Sequence, residues 1–108
     1  MKSVKDALKP VLLDLLREGR EAAATPFKPE TLRETLQVMA RKGVAEFRVR
    51  PTLALDVRST ATAAKGMAFL EGEGIACEWQ AVAALPDAPD NPGGLPGEYF
   101  ELVVRLKP

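Results

Sequence analysis

Three short segments alternate apolar and polar residues, and the rest of the chain has to be arranged around them. Val44 to Arg50 sets Ala45, Phe47 and Val49 against Glu46, Arg48 and Arg50. Ile75 to Ala83 sets Ile75, Cys77, Trp79 and Ala81 against Glu78 and Gln80, and Tyr99 to Lys107 sets Phe100, Leu102, Val104 and Leu106 against Glu101 and Arg105. Successive side chains of a strand point to opposite faces, so each segment predicts a strand with one apolar and one polar side. The apolar sides need a covering layer; the polar sides can face water.

The covering layer comes from three helical patterns. Ser3-Val-Lys-Asp6 resembles a capping box with Asp in place of Glu, but Pro10 would then fall inside the helix. The spacing instead predicts a loose first turn and a main helix with Pro10 in its opening turn, running to about Ala23 with Val11, Leu12, Leu15 and Leu16 as its stripe. The second helix is the best marked: Pro29 at its first position, Phe27 and Leu32 placed for a hydrophobic staple, Leu36 and Met39 continuing the stripe, and Gly43 as its left-handed stop. A third helix, from near Val57 or Ser59 to Glu71, is rich in Ala and Gly and suits close packing. Between the last two strands lies ALPDAPDNPGGLPG, residues 84–97, with four prolines and three glycines. No helix or central strand tolerates that composition, so it is a long connection between two antiparallel strands, partly extended.

The expected fold is therefore α+β and two-layered, with helices packed on one face of a small mixed sheet of three to four strands in the order α-α-β-α-β-β. Its 108 residues suit a single domain, with residues 1–24 as an N-terminal helical extension. The first twenty residues carry charges every few positions, which fits neither a signal peptide nor a membrane span, and the single cysteine, Cys77, cannot form an internal disulfide. A cytoplasmic protein without membrane association is expected.

The chain has no histidine, which removes the commonest general base and metal ligand, and it has no phosphate-binding glycine loop. Cys77 falls on the inward side of its strand as an inert thiol. No enzyme activity and no cofactor or metal are expected. Overall charge is zero, yet residues 1–66 hold 13 basic and 8 acidic side chains while residues 67–108 hold 2 and 7. Arg48 and Arg50 share the polar side of their strand, Arg58 lies near the start of the third helix, and Lys28 sits where backbone N–H groups favour anions. Phosphate recognition needs little more than such donors in a row, so Lys28, Arg48, Arg50 and Arg58 are candidate nucleic-acid contacts. Glu46, Glu78 and Glu101 are expected on the same face as Arg48 and Arg50, which fits a plain solvated face equally well.

From Lys28-Pro29 opening a helix, through KGVAEFRV (Lys42–Val49) carrying helix into strand, to GIACEWQAV and YFELVVRL closing the chain, residues 27–107 resemble the Alba family and its β-α-β-α-β-β relatives. The family's opening strand is absent or reduced to Arg20–Thr25, and a helix precedes it. The resemblance implies a small dimeric DNA- or RNA-binding protein, with Lys28, Arg50 and the loop after it as contacts. The residues also admit a different function: a protein-interaction or regulatory module, in which a homodimer or another protein uses the polar sheet face or an edge strand.

Overall fold

Phe27 and Leu32 are each 1% exposed, and the helical layer is built on them. The computed structural model describes residues 4–106, with side chains from Leu8 onward, so the Ser3–Asp6 capping box and Lys107 lie outside the described residues. Helix α1 spans Val4–Ala23, a single 3-10 turn Thr25–Phe27 follows, and α2 spans Pro29–Arg41. Pro10 lies inside α1 instead of opening it. A proline there removes one backbone hydrogen bond and strains the turn before it, and the helix continues through. Residues 20–25 are the last turn of α1 and the start of the 3-10 turn, so among the described residues no strand precedes the first of the sheet.

The stop after α2 is as expected. Gly43 adopts φ 76°, and the Val44 N–H reaches back to the Met39 carbonyl at 2.9 Å. Strand β1 is Glu46–Val49, α3 is Ala61–Gly72, β2 is Ala76–Ala84 and β3 is Gly97–Arg105. The order is the expected one, α-α-β-α-β-β. α3 begins later than Val57 or Ser59 because Thr60 is its cap, with the side-chain oxygen accepting the Ala63 N–H at 3.1 Å.

The three strands lie in the order β1-β3-β2, and both pairings are antiparallel, so the sheet is not mixed. Phe47 opposes Val104 and Val49 opposes Leu102 on one side of β3, while Cys77 opposes Val104 and Trp79 opposes Leu102 on the other. These side chains meet Phe27, Leu32 and Leu70 from the helical layer and Val57 from the loop before α3 in one core, where the Phe27 and Trp79 rings stand 5.2 Å apart. The small face of α3 serves the 3-10 turn: a Cβ on Gly66 would run into the Phe27 carbonyl oxygen, so only glycine fits that approach.

Residues 84–97 are more ordered than their composition predicts. Three successive turns close through Ala88 to Leu85, Asn91 to Ala88 and Gly94 to Asn91, and the Asn91 amide donates to the Leu85 and Leu95 carbonyls at 3.1 and 2.8 Å. The Ala54 N–H bonds the Asp90 carbonyl at 2.7 Å, joining this connection to the loop after β1. Ala54 and Ala84 cover Tyr99 in a small second cluster.

Candidate interaction surface

The polar face of the sheet is arranged around β3, the central strand. Two residues of β3, Glu101 and Arg105, project from it two pairs apart, and each gathers charges of the opposite sign. Arg105 stands opposite Glu46 in β1 and one diagonal step from Glu78 in β2. Its Nε lies 3.3 Å from Glu46 Oε1 and its Nη2 2.8 Å from Glu78 Oε1. The Glu78 hydrogen bond, with Glu46 behind it, raises the pKa of the Arg105 guanidinium above its ordinary value.

Glu101 makes the reciprocal arrangement, and it departs from the sequence expectation. Alternation predicts an outward-facing, solvated carboxylate, but Glu101 is only 5% exposed. It accepts from Arg48 Nη1 at 3.3 Å, Arg50 Nε at 2.9 Å and the Tyr99 hydroxyl at 3.2 Å, while Arg50 Nη2 donates to Tyr99 Oη at 3.3 Å. Asp90, brought in by the turns of the long connection, stands 3.5 Å from the same guanidinium. Burying a carboxylate is costly unless charged and neutral donors replace its water, and here three do. No buried side-chain polar atom lacks a partner among the described residues.

Arg48 and Arg50 therefore lie together on the polar face as the alternation predicts, but their charge is held by Glu101. The other two candidates lie elsewhere. Lys28 is the exposed residue before α2, in the helical layer, and its side chain caps nothing. Arg58 grips Asp56 with two hydrogen bonds of 2.9 Å, and its guanidinium carbon stands 3.4 Å from the centre of the Phe100 ring. Phe100 faces the helical side of the sheet, since it alternates with Glu101. Lys28 and Arg58 are therefore not on the polar face that carries Arg48 and Arg50.

Sequence reasoning leaves the strand order open, and with it the most available feature of the sheet. β2 is an edge strand. It pairs with β3 along all nine residues, and among the described residues no backbone group bonds its other side. The edge carries no Pro, Gly or Lys and only one charge, Glu78, so it lacks the usual devices that blunt a free edge. Alternating β2 residues present Cys77, Trp79 and Ala81 on the helical side and Glu78, Gln80 and Val82 on the polar side. The other edge, β1, has four residues.

Cys77 is half-buried against Met67, with sulfur atoms 3.9 Å apart. Burial, helped by the charge of Glu71, pushes its thiol pKa up and keeps it a poor nucleophile. Among the described residues no three His, Cys, Asp or Glu side chains are grouped to hold a metal ion, and no helix is long and apolar enough to cross a membrane. No protein-family model, curated protein or solved structure matches the chain.

Proposed function

We propose that the chain is a non-enzymatic protein-binding module that receives an extended segment of a partner along the free edge of β2, in a homodimer that offers two such edges. One observation carries this reading: nine consecutive residues of an edge strand whose outward backbone groups have no partner among the described residues. Each unpaired N–H and C=O on an edge is a directed hydrogen-bonding site, and an added strand satisfies them in series. The small side chains of Ala76, Ala81 and Ala83 leave room beside that strand for a partner's larger ones.

The nucleic-acid reading through Lys28, Arg48, Arg50 and Arg58, which the Alba resemblance implies, draws less support. Phosphate oxygens would have to compete with Glu101 for Arg48 and Arg50, and with Asp56 for Arg58. The alternating signs along β3 leave no continuous positive track for a backbone.

The test is selection of random extended peptides on the intact chain, followed by anisotropy titration of the selected peptides. Binding should weaken by at least about tenfold in Ala81→Lys/Ala83→Lys, which puts charge on the edge strand, and stay unchanged in Lys28→Ala. Selected peptides indifferent to the lysines would overturn the β2 reading. Duplex or single-stranded nucleic acid that binds with a steep salt dependence and is lost in Lys28→Ala would replace it with the other reading.

A further inference from the structure

α1 is fixed to the body of the protein by its last turn, and before it Leu13, Leu16 and Arg17 line an open groove against Ser59–Ala61 at the start of α3. Every residue from Leu8 to Arg20 is exposed, while Ala23 is buried and the Glu21 carboxylate accepts the Thr62 N–H and hydroxyl at the start of α3. The molecule is 63 Å long against 31 and 18 Å in its other dimensions. Yet this projecting helix is far from polar. Leu8, Val11, Leu12, Leu15 and Leu16 are each 50–54% exposed, and Leu13 is 51% exposed at the rim.

A helix turns about 100° per residue, which gathers the first five into one stripe about 140° wide. A large apolar residue carries on the order of 150–200 Å² of surface, so the six half-exposed residues present roughly 450–600 Å². That is at the upper end of what a monomer leaves uncovered. Two such stripes face to face would bury roughly 900–1,200 Å², and the aliphatic stems of flanking Lys and Arg would add to it, reaching the lower bound of about 1,200 Å² for a specific interface.

The charges say which way the copies run. On the same wheel, Lys9 and Arg20 border one side of the stripe, while Asp14 and Glu18 border the other. In a parallel pair related by a two-fold axis along the helices, the basic border of each copy faces the acidic border of its mate. An antiparallel pair would set like against like.

We propose that α1 is a dimerisation helix whose apolar stripe packs against the same stripe of a second copy, in parallel. This concerns the homodimeric form assumed above and is independent of the β2 reading. A membrane surface fits the stripe less well, because Asp14 and Glu18 would border it against anionic lipid.

Equilibrium sedimentation of the full chain at tens of micromolar tests the proposal, with the near-ultraviolet signal of Trp79 reporting an intact core. The intact chain is expected to be a dimer. Leu12→Glu/Leu15→Glu should raise its dissociation constant at least about a hundredfold without changing the Trp79 signal. Glu18→Lys, which sets a second positive charge against Arg20 of a parallel mate, should weaken the dimer, and Arg20→Glu added to it should restore the affinity. Ala81→Lys/Ala83→Lys should leave the dimer intact, which separates this result from any failure of the β2 reading. A monomer in the unaltered chain, a dimer indifferent to Leu12→Glu/Leu15→Glu, or a monomer bound to phosphatidylserine vesicles through α1 would overturn the proposal. So would a dimer strengthened by Glu18→Lys alone, the response of an antiparallel pair.

Discussion

Arg50 Nε lies 2.9 Å from Glu101 Oε2, joining the end of β1 to the middle of β3 across a face expected to be open. Glu101 is buried while Arg50 keeps 61% of its side chain exposed, so the two partners stand in unequal positions. Loss of the carboxylate leaves guanidinium groups that water can solvate. Loss of the guanidinium groups leaves a buried negative charge with only Tyr99 to answer it. Arg48→Met/Arg50→Met should therefore cost about 3–5 kcal/mol and Glu101→Gln about 1–2 kcal/mol. Urea denaturation of the two variants checks the order, and equal losses would mean that the arginines do not serve Glu101.

Gly66 gives a sign reversal. Alanine in place of a mid-helix glycine ordinarily stabilises by about 0.5–1 kcal/mol. In α3 the added methyl meets the Phe27 carbonyl, and that backbone belongs to a turn held between two helices. Gly66→Ala should destabilise by about 1–3 kcal/mol. Gly72→Ala in the same helix, where a Cβ meets nothing within 4 Å, should be neutral or slightly stabilising. Thermal melts of the pair would show whether that contact holds α3 in place.

Asp56 supplies a pH signature. The Arg58 hydrogen bond, only partly offset by burial, holds its carboxyl below the ordinary value. A depressed carboxylate contributes stability above its unfolded pKa of about 3.9, and that contribution is lost as pH falls through the folded value. The pair is nearly half exposed, so the contribution is modest, below about 1 kcal/mol. The wild-type chain should melt slightly above Asp56→Asn at neutral pH, with the gap closing below about pH 4. A gap that persists in acid would assign the effect to something other than the charge.

Lys28 separates the two functional readings without disturbing the fold. It is exposed and makes no side-chain cap, so Lys28→Ala should change stability by less than about 0.5 kcal/mol. A gel shift with duplex DNA at low ionic strength should show no difference between that variant and the unaltered chain.

Features set by neighbours in the chain are legible in the sequence. The Phe27–Leu32 staple, the Gly43 stop and the alternation that buries Phe47 and exposes Arg48 each follow from local geometry, and each is present. The burial of Glu101 escapes local reasoning because it comes from partners 51 and 53 residues away, Arg50 and Arg48, and from a connection whose composition gives no sign of where it folds. The free edge of β2 is hidden for a related reason. Alternation says which face a residue takes but not which strand lies in the middle, and β3 sits there because it pairs on both sides. α1 is legible as a helix, though not that Leu8, Val11, Leu12 and Leu15 of its stripe would stay exposed.

Amide hydrogen exchange along the sheet tests the central claim most directly. In the free chain, every second amide of Ala76–Ala84, those turned away from β3, should exchange rapidly while β3 amides are protected. Adding a selected peptide should protect those β2 amides and leave β1 unchanged. Protection confined to Glu46–Val49, or β2 amides already protected in the peptide-free chain, would contradict the claim that recognition belongs to the β2 edge.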